Sequence, residues 1–101
     1  MKLYVQETNQ FNLDRKELDK AVKKYDSGEV EGFEIVYRGD KFEEITIFCL
    51  GSNHNYHISF VSEGAEMHRT STTDINTAVS RINKWCRDNN IDAKFDRVKY
   101  F

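Results

Sequence analysis

Residues 42–61 read FEEITIFCL-GSNHN-YHISFV. Both flanks are rich in β-branched and aromatic residues, which favour strands, whereas Gly51, Ser52, Asn53 and Asn55 between them tolerate turn conformations. The stretch therefore predicts a β-hairpin, and we expect this hairpin to form the middle of a sheet.

Strand patterns continue on both sides of the hairpin. Apolar and polar residues alternate from Val30 to Arg38, and a Gly39-Asp40 turn follows. On the other side, a tight turn at 62–65 leads into a further strand at 66–70. Strands joined by tight turns pair antiparallel, so these residues predict a four-stranded meander.

Two amphipathic helices are predicted from apolar residues that recur with the helical period. The first covers 13–26, with Asn12 as its N-cap and Gly28 beyond its end. The second begins in the run from Ser71 to Asp74, two residues with capping-box spacing. Their apolar stripes are Leu18, Ala21, Val22 and Tyr25 in the first helix, and Ile75, Ala78, Val79, Ile82, Trp85 and Cys86 in the second.

A short strand at 2–6, expected at a sheet edge, and a closing strand at 93–101 complete the element order β-α-β-β-β-β-α-β. Each helix needs an apolar surface to cover, so the predicted fold is α+β, a two-layer sandwich with both helices on one face of an antiparallel meander sheet. A chain of 101 residues with 39% hydrophobic content suits one domain, 1–101.

Alternation assigns each strand residue to one face of the sheet. The face expected beneath the helices contains Phe33, Ile35, Tyr37, Ile45, Ile47, Cys49, Tyr56, Ile58, Phe60 and Met67. The opposite face is expected to contain Glu34, Val36, Arg38, Glu44, Thr46, Phe48, His57, Ser59, Val61, Glu66, His68 and Thr70. We expect Ile35 near Ile45, Ile47 near Ile58, and Phe60 near Met67.

Neither a long apolar run nor an apolar signal sequence is present, so we expect a cytoplasmic protein without membrane contact. The two cysteines lack metal-binding spacing and are interpreted as reduced, buried thiols. His54, His57 and His68 are the one cluster that suggests a metal, with His57, His68 and Glu66 on one face. Surface histidines are the favoured interpretation, so no cofactor or metal is predicted.

Enzymatic chemistry is not indicated by the sequence. Cys49 and His57 fall on opposite faces of the predicted sheet, which excludes a nucleophile and base pair between them. No phosphate-binding, dinucleotide-binding or nucleophile-elbow motif occurs in the chain. We therefore expect a non-enzymatic protein.

Charge is distributed unevenly, although the net charge is only −2. Seven acidic residues concentrate around the first predicted hairpin, which turns at Gly39-Asp40: Asp26, Glu29, Glu31, Glu34, Asp40, Glu43 and Glu44. Apolar residues interrupt the sheet face opposite the helices, which we expect to be open. The predicted partner-binding residues combine both groups: Glu29, Glu31, Glu34, Val36, Asp40, Glu43, Glu44, Phe48, His57 and Val61. A concentrated acidic patch is able to occupy a basic groove that normally holds nucleic acid.

The favoured function is a protein-binding module. In size and charge the chain resembles small phage or mobile-element proteins that inhibit host nucleic-acid-handling proteins, such as anti-CRISPR proteins. One alternative is a nucleic-acid-binding domain that uses helix-one and C-terminal cations, namely Lys16, Lys20, Lys23, Lys24, Lys94, Arg97 and Lys99. The other is a homodimer or larger homo-oligomer formed through the open face or a sheet edge.

Overall fold

A computed structural model of the protein describes residues 10–101. It contains α1 (Lys16–Asp26), β1 (Gly32–Arg38), β2 (Glu43–Leu50), β3 (Tyr56–Ser62), β4 (Ala65–Thr72), α2 (Ile75–Asp88) and β5 (Lys94–Tyr100). The order of these helices and strands matches the predicted order. The strand predicted at 2–6 lies outside the described residues.

The strands form a five-stranded antiparallel sheet in the order β4-β3-β2-β1-β5. The predicted hairpin is β2 and β3, and β2 is the central strand. Ile47 lies opposite Ile58, as predicted, whereas Ile35 lies opposite Ile47 instead of near Ile45. That shift is two residues, so it leaves the face of each side chain unchanged.

Both helices pack on the same face of this sheet, as predicted. α1 contacts β1 and β5, while α2 contacts β3 and β4. Among the predicted stripes, Leu18 and Ala21 of α1 and Ala78 and Ile82 of α2 are fully buried. The strand residues predicted on this face are buried with them, with one exception: Phe33, Ile35, Tyr37, Ile45, Ile47, Cys49, Tyr56, Ile58 and Phe60. Neither described helix is long and apolar enough to cross a membrane.

The exception is Met67, which is 60% exposed because β4 contains a β-bulge. Val61 lies opposite Glu66 and Phe60 opposite His68, so Met67 is the extra residue. The predicted pairing of Phe60 with Met67 is therefore wrong. From the bulge onward the alternation of β4 is inverted, which moves His68 and Thr70 to the helix-covered face and Arg69 to the other one.

The start of α1 lies three residues beyond the predicted start. Asp14 accepts a hydrogen bond from the Lys16 backbone N–H at 3.0 Å. Asn12 is not the cap, because its side-chain oxygen accepts a hydrogen bond from Arg87 of α2 at 2.8 Å. The preceding segment packs on the core through Phe11 and Leu13, which are buried.

The start of α2 also differs from the predicted capping box. Ser71 lies within β4, and Asp74 is itself the N-cap. Its carboxylate accepts hydrogen bonds from the backbone N–H groups of Asn76 and Thr77, both at 3.3 Å, and from the Thr77 hydroxyl at 2.8 Å. Aspartate serves as an N-cap because it satisfies amide groups that have no partner within the helix.

Candidate functional site

The side of the sheet that faces away from α1 and α2, here called the open face, presents its side chains in rows across the strands. Register places His57, Phe48, Glu34 and Lys99 side by side in one row. The neighbouring row consists of Arg69, Ser59, Thr46, Val36 and Arg97. Neither described helix covers these rows.

Apolar side chains occupy the centre of the open face. Val36 is only 1% exposed, yet it is not part of the core beneath the helices. Phe48 of β2 is half-buried and packs edge-to-face on Phe101, with ring centroids 5.9 Å apart. Phe101 stays 40% exposed, and the Lys99 ammonium lies 5.2 Å from the centre of its ring. Phe48 and Phe101 therefore offer an apolar contact area with a cation beside it.

An ionic network occupies the β1 and β5 side of the open face. Arg38 lies 3.6 Å from Glu44 and 3.2 Å from Asp96, and Arg97 lies 3.9 Å from Glu44. Asp96 is the extra residue of a β-bulge in β5, opposite the step from Val36 to Tyr37. Exposed ion pairs of this kind contribute little stability but give the face charges of both signs.

A cavity of about 380 Å³ occupies the β3 and β4 side of the open face. The small side chains of Thr46 and Ser59 lie opposite each other in its floor. Phe48 and His57 form one wall, and Arg69 forms the other. A pocket with an apolar lining and few, well-placed polar groups is typical of a recognition site.

Glu66 holds the side chain of Arg69 beside the cavity. Its carboxylate accepts a hydrogen bond from the Ser59 hydroxyl and another from Nη2 of Arg69, each at 2.9 Å. These hydrogen bonds, that from Arg69 first, lower the pKa of Glu66 below its ordinary value. The carboxylate therefore stays charged at neutral pH and holds the guanidinium beside the cavity.

The three histidines lie in three different places. His54 is in the β2–β3 turn, where its Nδ1 lies 3.6 Å from an Asp26 carboxylate oxygen. His57 points from the open face, whereas His68 is on the helix-covered side at the sheet edge, where it stacks on Trp85 and stays exposed. The expectation that His57 and His68 share a face is therefore wrong, because the β4 bulge separates them. Within residues 10–101, no cluster of three or more His, Cys, Asp or Glu side chains is arranged to hold a metal ion.

Both thiols lie in the core and are fully buried. Burial raises the pKa of Cys86 to about 12 and also raises the pKa of Cys49. Cys49 lies on the helix-covered face, away from His57, as alternation predicts. The thiols are consequently protonated at neutral pH and shielded from a substrate.

The seven acidic residues around the first hairpin are distributed over three regions. Asp26, Glu29 and Glu31 precede β1, whereas Asp40 and Glu43 lie at the opposite end of that strand. Glu34 and Glu44 project from the open face between them, and Glu44 is paired with Arg38 and Arg97. A seven-residue strand spans about 20 Å, so the two end groups are well separated.

The predicted nucleic-acid-binding cations also divide into two groups. Lys16, Lys20, Lys23 and Lys24 belong to α1 in the helical layer, whereas Lys94, Arg97 and Lys99 project from β5 on the open face. Lys20 lies 3.7 Å from Glu17 and Lys24 lies 3.8 Å from Glu29. Lys24 also lies 4.6 Å from the centre of the Tyr100 ring.

Comparison of the chain with protein-family models, with curated proteins and with solved structures found no match. Of the predicted partner-binding residues, the open face brings together Glu34, Val36, Glu44, Phe48, His57 and Val61.

The sequence did not identify Arg69, or Thr46 and Ser59 in the floor of the cavity, as candidate binding residues. Alternation places the floor residues on this face, but the bulge that turns Arg69 toward them has no sequence signal.

Proposed function

We propose that the protein is a non-enzymatic protein-binding module and that its open face is the binding surface. One observation carries the proposal: Phe48 on the central strand and Phe101 beyond the end of β5 form an aromatic pair that stays partly exposed on a sheet face that neither described helix covers. Protein interfaces commonly combine an apolar, aromatic centre with a polar and charged rim. The paired charges of Arg38, Glu44 and Arg97 supply such a rim.

Charge favours a protein partner over nucleic acid. A phosphate backbone requires a surface on which cations dominate. On the open face Glu34, Glu44 and Glu66 lie among five cations, but Glu44 pairs with Arg38 and Arg97, Glu66 pairs with Arg69, and Glu34 lies opposite Lys99. The lysines of α1 belong to the other layer, so the two basic groups do not form one continuous surface.

The distribution of acidic residues also bears on the proposed partner. An inhibitor that imitates nucleic acid needs its negative charges gathered on one surface. Here the two acidic groups that flank β1, residues 26–31 and residues 40–43, lie at opposite ends of the strand. The resemblance to phage-encoded inhibitors remains a prediction, and under this proposal such an inhibitor contacts its target through Phe48 and the mixed charges around it.

Site-specific photocrosslinking tests the proposal. Benzoylphenylalanine replaces Ser71 or Lys99 on the open face, or Lys16 or Ser80 on the exposed side of the helices. In a lysate of the source organism we expect a discrete protein adduct from the open-face positions and none from the helical ones. Adding Phe48→Asp to the protein that carries benzoylphenylalanine at position 99 is expected to reduce the yield of its adduct by about tenfold, as for the loss of a side chain that anchors an interface.

Other adducts contradict the proposal. Crosslinks from the helical positions alone would place the working surface on α1 and α2. A nuclease-sensitive adduct would favour nucleic acid instead. An adduct of twice the chain mass, formed by the purified protein alone, would favour a homodimer over a different partner.

A further inference from the structure

We propose that the open-face cavity receives an aromatic or large aliphatic side chain of the partner protein, and that a carboxylate beside that side chain binds Arg69. This inference rests on the proposed function and specifies the chemistry of its ligand. It also assigns a binding role to Thr46, Ser59 and Arg69, which lie around the cavity with Phe48 and His57.

The shape of the cavity selects an apolar side chain. Its volume of about 380 Å³ lies within the range of small-ligand pockets. Thr46 and Ser59 form a floor of short side chains between the larger Phe48 and Arg69, so the depression follows directly from the register of β2, β3 and β4. The ring of Phe48 offers an aromatic surface to an inserted side chain.

The charge beside the cavity selects an adjacent carboxylate. The hydrogen bonds and ion pairs of Arg69 in residues 10–101 engage only its Nη2 atom, with Glu66. The side chain is 71% exposed, and a guanidinium has further N–H groups that suit a carboxylate. Because Glu66 fixes the guanidinium, a second carboxylate meets donors that are already oriented.

A nucleotide is the competing occupant, since a base stacks on Phe48 and a phosphate binds arginine. Around the cavity, however, Arg69 stands beside Glu66, and Glu44 lies further along β2 on the same face. A nucleic-acid strand brings successive phosphates toward these carboxylates, whereas a peptide brings one carboxylate to one arginine. The local charge therefore favours the peptide.

Nuclear magnetic resonance of the ¹⁵N-labelled full chain tests this chemistry. The probes are acetyl-Gly-Phe-Asp-Gly-amide, acetyl-Gly-Phe-Lys-Gly-amide and hexathymidylate. We expect the Phe-Asp peptide to shift the amide signals of residues 46, 48, 57, 59 and 69. Its affinity should exceed that of the Phe-Lys peptide by about tenfold, as for one charge-assisted hydrogen bond.

Three variants separate the contributions of charge and shape. Arg69→Gln is expected to remove the preference for the Phe-Asp peptide, and Thr46→Leu to fill the cavity and abolish binding of both peptides. Lys41→Gln removes an exposed cation from the β1–β2 loop, which belongs to neither the cavity nor the charged rim, and should change nothing. Signal dispersion in the spectra confirms that each variant is folded.

Three results would overturn the inference: equal affinity of the two peptides, shifts that avoid the cavity residues, or tighter binding of hexathymidylate. Its failure is distinguishable from failure of the proposed function. If crosslinks form from position 99 but neither peptide binds the cavity, the open face stands as the binding surface, and the proposed insertion of a side chain into the cavity is wrong. Crosslinks from α1 and α2 alone would reject the surface itself.

Discussion

The imidazole of His68 stacks on the indole of Trp85, with the ring centroids 5.4 Å apart and the ring planes only 8° from parallel. Phe60 completes the cluster, 4.8 Å from Trp85 and 5.6 Å from His68. The contact joins β4, an edge strand, to α2. It exists because the bulge at Met67 turns His68 toward the helices.

Replacement of His68 by Ala should destabilise the fold, because the stacking with Trp85 is lost. Aromatic pairs contribute about 1 kcal/mol beyond their buried area, so we expect the free energy of unfolding to fall by about that amount. Urea denaturation followed through the fluorescence of Trp85, the single tryptophan, measures the change. His57→Ala on the open face is the matched control and should alter stability by less than about 0.5 kcal/mol. An equal loss from both variants would contradict the stacking role of His68.

Much of the sheet follows from sequence alone because alternation has period two and one face is buried. Ile45, Ile47 and Ile58 are covered by the helices as their spacing predicts. The predicted assignment of side chains to the two faces fails first at Met67, where a bulge without a glycine inverts the alternation of β4. Local pattern contains no signal for that insertion.

The segment before α1 shows a second limit of sequence reasoning. The backbone N–H of Leu13 donates to the Asn83 side chain at 2.8 Å, and Nε of Arg87 donates to the Phe11 carbonyl at 2.8 Å. These partners lie on α2, far along the chain, so no local signal for them exists around Asn12. The open-face cavity has the same origin, because it requires both the register of Thr46 with Ser59 and the bulge that directs Arg69.

Removal of the α2 N-cap should lower thermal stability. Asp74→Ala leaves the amides of Asn76 and Thr77 without their acceptor, and we expect the Tm to fall by about 5 °C, the usual effect of losing such a cap in a small domain. Asp74→Asn retains an acceptor oxygen and should lose less stability.

The stability that this cap contributes should also depend on pH. The hydrogen bond from the Thr77 hydroxyl, followed by those from the Asn76 and Thr77 amides, lowers the pKa of Asp74. Since that pKa is depressed in the folded state, the cap contribution should disappear as the pH falls through it. Scanning calorimetry measures these effects, and an Asn variant less stable than the Ala variant would contradict the capping role.

Alkaline conditions should destabilise the protein through groups that burial keeps neutral. Burial raises the pKa of Cys86 from 9.0 and that of Tyr56 from 10.0, each to about 12. A raised folded-state pKa contributes stability that is complete below the unfolded value and is lost as the pH rises through the folded value. We therefore expect the urea midpoint to fall between about pH 9 and pH 12.

The same burial predicts the reactivity of the thiols. At about pH 8 a disulfide reagent such as dithionitrobenzoate should label neither Cys49 nor Cys86 in the folded protein and should label both in urea. Absorbance of the released thiolate measures the reaction. Rapid labelling of the folded protein would show that one thiol is accessible, which contradicts its place in the core.

Titration of Glu66 tests the arrangement that orients Arg69. Hydrogen bonds from Arg69 and Ser59 lower the pKa of this carboxyl below its ordinary value of 4.5, so the carboxylate is present above that value and is lost as the pH falls through the lowered one. Carbon-detected nuclear magnetic resonance of the Glu66 carboxyl should give a midpoint below 4.5 in the wild-type protein.

In the Arg69→Gln variant the titration midpoint of Glu66 should rise toward the ordinary value, because the hydrogen-bond donor that stabilises the carboxylate most is gone. Ser59→Ala should move it upward by less, since the Ser59 hydroxyl is the smaller contributor. Arg97→Gln, a cation removed from the same face beyond Val36, should leave it unchanged. An identical midpoint in the wild-type and Arg69→Gln proteins would mean that Glu66 does not hold the guanidinium in solution. Arg69 would then meet a ligand carboxylate without prior orientation, and the preference for an acidic peptide should weaken accordingly.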